Sequence, residues 1–145
     1  MKKLFYSFLL LSSATLFAQK DASVKFAVAD GIVGTVDMFT GSYKNSVEDS
    51  HSYKSAAELP QNLKKYSFMA DNGLVEYKLK KDQGALDKTK LSDLNVLYGL
   101  AKDTPVFIDG YEFKNTSMII FSELVSNPTV INNKGQKAVA VTTKK

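Results

Sequence analysis

Apolar and polar positions alternate over SVKFAVA, residues 23–29, where Val24, Phe26 and Val28 oppose Ser23, Lys25 and Ala27, the mark of a strand buried on one face. Asp30-Gly31 reads as a turn, and IVGTVDMF repeats the strand-like composition, so the two runs predict an opening hairpin. Leu59, Leu63, Tyr66 and Met69 recur at helical spacing behind Pro60, predicting an amphipathic helix over 59–69 that Asp71-Asn72-Gly73 ends. GLVEYKLKK alternates again, and predicts a strand with its lysines outward. A second helix is expected from Leu91, Leu94, Leu97 and Tyr98, with Thr89 as cap and Gly99 near its end.

The run PVFIDGYEF places Asp109-Gly110 between two β-prone triplets, and a two-residue Asp-Gly link is the strongest short-range hairpin signal. TSMIIFSELV fits a helix capped by Thr116 or Ser117 or a buried strand over 118–121, and we take the helix. PTVIN, a turn over 133–135 and KAVAVTT predict a last hairpin. These elements predict an α+β fold, a single small domain with a mainly antiparallel sheet and two or three short helices.

Between 40 and 55 the pattern fails. GSYKNSVEDSHSYKS is the longest polar stretch and carries Ser-Tyr-Lys twice, so it is expected to be a polar loop that either binds something or stays disordered.

Composition narrows the classes. Residues 1–18 place two lysines before a short apolar run that ends in small residues, the pattern of a cleaved secretory signal peptide. The mature domain would span 19–145, exported to the periplasm or the cell exterior with no transmembrane segment. There is no cysteine, so no disulfide or thiolate metal site is available and the core alone must hold the domain. The 19 basic residues fall to 17 once Lys2 and Lys3 are removed, against 15 acidic ones. A balance of +2 made entirely of lysine is not a nucleic-acid footprint and lacks the bidentate fork of phosphate sites.

Candidate chemistry is sparse. A type I′ turn accounts for Asp109 and Gly110 by backbone geometry alone, so a catalytic or ligand role for Asp109, helped by Glu112 and Tyr111, would be added to that one. His51, the lone histidine, stands beside Glu48, Asp49 and Ser50, but neighbours in sequence seldom converge as a triad does. The spaced ligand pairs of a zinc site and the alternating acids of a calcium loop are missing, so no metal or cofactor is expected. Tyr43 and Tyr53 suit binding better, since tyrosine offers apolar area and a hydroxyl at small entropic cost. The function expected is a non-catalytic binding or interaction module of a bacterial envelope. Its rivals are a small secreted hydrolase using Asp109 with Glu112, or His51 with a carboxylate, and a structural envelope component that self-associates through edge strands such as 74–80.

PVFIDG at 105–110 and KGQKAVAVTTKK at 134–145 resemble two pieces of the plug region of TonB-dependent outer-membrane transporters. The first strand here is shorter and the connecting segment lacks the family's glycine-rich return. The resemblance implies a small plug-like α/β unit, with Asp109-Gly110 as its turn, and does not imply transport.

Overall fold

In this computed structural model the described residues are 24–82, 84 and 86–143. The expected signal peptide lies outside them. Two mixed sheets share one core. The first sheet is built from β1 (Phe26–Ala29), β2 (Ile32–Thr35), β3 (Val47–Tyr53), β4 (Leu74–Leu79), β5 (Lys88–Lys90) and β8 (Ile119–Phe121), in the order β3-β4-β1-β2-β8-β5. The second holds β6 (Val106–Ile108), β7 (Tyr111–Phe113), β9 (Pro128–Asn133) and β10 (Gln136–Val141), in the order β7-β6-β10-β9. Neighbours pair antiparallel except β1 with β4, β2 with β8 and β6 with β10, which run parallel. The α+β expectation holds, and most strand pairings are antiparallel as expected, within two sheets that also contain parallel pairs.

β1 sits at the middle of the first sheet, and all four of its residues are buried. A strand covered on both faces needs apolar residues at successive positions, which is why Ala27 and Ala29 stand between Phe26 and Val28. On one face Phe39 packs 4.6 Å from the Tyr77 ring and 5.4 Å from Phe121. It is carried there by α1 (Val36–Thr40), a short helix that follows β2 directly. Thr35 caps α1, its hydroxyl accepting from the Met38 N–H at 3.3 Å. Gly34 makes the approach of α1 feasible, because a Cβ there would lie 2.8 Å from both the Met38 and Phe39 side chains.

The other face of β1 carries Phe26, which meets Tyr111 and Phe113 of the second sheet edge-on at 5.0 and 5.9 Å. Beside it, residues Gln61–Met69 wind as a 3₁₀ helix that buries Leu63, Tyr66 and Met69, and the Tyr66 hydroxyl donates to the Gly31 carbonyl at 3.2 Å. The apolar spacing over 59–69 therefore marked the buried stripe, while the winding is tighter than the α-helix expected.

Three hairpins turn on residue pairs with positive φ: Asp30-Gly31, Asp109-Gly110 and Lys134-Gly135. Each is a two-residue type I′ link, whose twist matches that of the flanking strands, and all three were legible in the sequence.

Four expectations are corrected. The polar stretch 40–55 is not one loop, since Val47–Tyr53 forms an edge strand paired with β4, its register shifted once at Glu48. Residues 116–125 are not a helix: β8 occupies Ile119–Phe121, and only Ser122–Val125 winds, as a 3₁₀ turn. Residues 74–80 do not form an edge, because β4 lies between β3 and β1. The second helix, α2, spans Leu91–Leu97 and is shorter than expected, with Thr89 in β5 rather than at its cap. Its buried side is Leu91, Leu94 and Asn95, and Leu97 is 78% exposed.

Candidate functional site

The first sheet is wider than the layer that covers its Phe26 face. Over β1 that face is packed, but beyond the 3₁₀ helix 61–69 it opens into a groove of about 520 Å³. Register fixes what lines the floor. His51 pairs with Glu76, Asp49 with Lys78 and Tyr53 with Leu74 across β3 and β4, while Glu76 pairs with Val28 of β1. Partners in register share a face, so Asp49, His51 and Tyr53 lie on the side that Val28 shares. Asn62, Leu63, Lys65 and Tyr66 form the wall, and Asp30 stands at the β1–β2 turn.

Three interactions organise the floor. The Tyr53 hydroxyl donates to Glu76 Oε1 at 3.4 Å, and the His51 and Tyr53 rings lie 4.6 Å apart. Burial, followed by the negative charge of Glu76, pushes the Tyr53 hydroxyl above its ordinary value. At the open end Lys78 Nζ lies 3.5 Å from Glu48, an exposed pair that adds little stability. The groove thus presents carboxylates from Asp30, Asp49 and Glu76 against amines from Lys65 and Lys78, with one imidazole between them. It offers hydrogen-bond acceptors and donors side by side with apolar ring edges.

The Glu48-Asp49-Ser50-His51 run does not assemble as a triad. Alternation along β3 sends Ser50 to the opposite face from Asp49 and His51, and Asp49 Oδ1 accepts the Ser50 backbone N–H at 2.8 Å. No cluster of three or more histidine, aspartate or glutamate side chains suited to a metal ion occurs among the described residues.

Tyr43 belongs to the other side of the sheet. Its ring lies 6.5 Å from Phe39, and burial together with a hydrogen bond to Glu123 raises its pKa. Ser42 donates to the same glutamate at 3.0 Å. The two Ser-Tyr-Lys repeats therefore face different surroundings, and Tyr43 and Tyr53 do not form one binding surface.

Asp109 is at the junction of the sheets. Its carboxylate lies 2.7 Å from Lys25 Nζ, accepts the Thr143 backbone N–H at 2.9 Å and accepts the Thr143 hydroxyl through its second oxygen. Its own N–H donates to the Val141 carbonyl at 2.9 Å. Burial works against its charge, but the hydrogen bonds from Lys25 and Thr143 and the ammonium charge prevail, holding it below the usual aspartate value. Every one of these partners ties chain segments together. Glu112 points elsewhere: it is exposed on β7 and lines a small cleft with Phe107, Asn133 and Lys137, so the Asp109 carboxylate and Glu112 are not brought together. Tyr111 packs against Phe26, its pKa raised by burial and then by the charge of Asp71.

Sequence reading placed Asp49, His51 and Tyr53 near one another but missed Glu76, Lys65 and Asn62. The outward alternation of β4 was the available signal for Glu76, and nothing local in the sequence aligns that strand with β3. Comparison with models of known protein families, with curated proteins and with solved structures finds no match to this chain.

Proposed function

We propose that this chain is an exported, non-catalytic binding module of a bacterial envelope, and that its ligand lies in the groove over β3, β4 and β1. The observation that carries the reading is the uncovered sheet face where Asp49, His51 and Glu76 stand side by side beneath the 61–69 wall. Polar side chains held on paired strands are positioned by the ladder rather than by a loop, which lowers the ordering cost of binding. Export is supported by the leader pattern of residues 1–18. The hydrolase alternative loses support at Asp109, whose carboxylate is engaged by Lys25 and Thr143 and stands apart from Glu112.

The test uses the tagged protein as bait against detergent-solubilised envelope from its source bacterium, with an Asp49→Ala/His51→Ala double variant as control. The purified captured component is then titrated into isotope-labelled protein. Capture lost in the variant, together with amide shifts confined to residues 49–53 and 61–66, supports the groove. Capture retained by the variant, or shifts elsewhere, refutes it.

A further inference from the structure

We propose that β9 is a pairing edge for a second copy of this chain, giving a two-fold dimer in which the β7-β6-β10-β9 sheet continues across the axis. The inference is independent of the groove, which lies on the other sheet.

Asn133 and Gln136 flank a two-residue type I′ turn, so they form a hydrogen-bonded pair directed at each other. Alternating from there, Ile131 and Thr129 also direct their backbone groups at β10, whereas Asn132, Val130 and Pro128 direct theirs away from the sheet. The ladder's far end checks this parity. Val141, the partner of Pro128, turns its carbonyl to the β6 side, where it accepts from Asp109 N–H.

Among the described residues no strand pairs with the outer side of β9, which therefore offers two N–H donors, on Val130 and Asn132, and three carbonyls. Antiparallel pairing about an axis at Val130 uses both donors of each copy. Val130 bonds to Val130 of the second copy in both directions, and each Asn132 N–H meets a Pro128 carbonyl. Pro128, which has no N–H, falls at the end of the ladder where its missing donor costs least. The edge is complementary to itself.

Charge selects this edge over the others. Residues 128–133 carry no charged side chain, so a two-fold axis brings no like charges together. The remaining edges do carry them: Glu48 and Asp49 on β3, Lys88 and Lys90 on β5, Glu112 on β7. Side chains agree with the backbone, since Thr-Val-Ile is strongly β-prone, and Val130 and Ile131 stand 45% and 36% exposed. A structural component that self-associates was expected to use residues 74–80; β9 has the free edge that β4 lacks.

Sedimentation and light scattering of the purified protein, with hydrogen exchange on the same samples, test the proposal. The expected result is a dimer whose Val130 and Asn132 amides are protected. Val130→Lys should be a folded monomer, and so should Val130→Glu, each melting where the wild type does once that is diluted to monomer. Mixing the two variants should restore the dimer, because the axis sets Lys against Glu. A wild-type monomer at every accessible concentration, a dimer whose Val130 and Asn132 amides exchange freely, or variants that stay monomeric when mixed would overturn the proposal.

Discussion

The Lys25 ammonium lies 2.7 Å from the Asp109 carboxylate, joining the chain segment that enters β1 to the turn between β6 and β7. Because the folded-state pKa of Asp109 is depressed, the unfolded chain binds the proton more readily. The contribution of this group is fully present above the ordinary aspartate value of about 3.9 and is lost as pH falls through the lower folded value. Asp109→Asn keeps a residue that tolerates the positive φ but removes the charge, and should cost roughly 1–3 kcal/mol near neutral pH. Urea midpoints of both proteins, taken near neutral pH and again below the carboxylate range, should converge on acidification.

Gly34→Ala tests how closely α1 is packed on β2. A methyl group there meets Met38 and Phe39 at 2.8 Å and Phe121 at 3.1 Å, all within one buried cluster. Overpacking of this kind costs about 1–3 kcal/mol. The denaturation midpoint should fall without a change in slope, and an unaltered midpoint would show that the cluster yields freely.

Asn95 is buried in α2, and its Nδ2 donates to the carbonyls of Lys102 and Thr104 at 3.1 and 2.7 Å. Those bonds pin the segment that leads from α2 to β6. Asn95→Ala leaves both carbonyls unpaired, so we expect a loss of roughly 1–3 kcal/mol and faster proteolysis within residues 99–105. Cleavage no faster than in the parent would show that the segment is held by other contacts.

Tyr53→Phe and Tyr43→Phe separate the two faces of the first sheet. Tyr53 contributes its hydroxyl to Glu76 in the groove, and Tyr43 contributes to Glu123 on the opposite side. Each change should move stability by less than about 1 kcal/mol. Only the Tyr53 change should weaken binding of a ligand held in the groove, and equal losses in both would place the contact outside it.

How much was legible follows from the kind of signal each element carries. The type I′ turns at Asp30, Asp109 and Lys134 and the alternation over residues 74–79 are local, and each was read correctly or nearly so. β3 was not legible, because a strand exposed on both faces has no apolar period: Glu48 to Ser52 are all exposed and their order is fixed only by β4. β8 was read as a helix because four apolar residues between polar ones, Met118 to Phe121, satisfy either period, and parallel pairing with β2, some 90 residues away in sequence, decided it. The groove inherits this limit. Asp49 and His51 were in view, but the positions that complete it, Glu76 and Lys65, reach it through tertiary pairing alone.

β10 lies inside the second sheet, between β6 and β9, and Thr143 just beyond it closes onto Asp109. Until residues 136–143 have left the ribosome, β6 has no partner on that side and the Asp109 carboxylate lacks its two Thr143 donors. Native assembly of this half of the molecule is therefore postponed until residues 136–143 are available to pair.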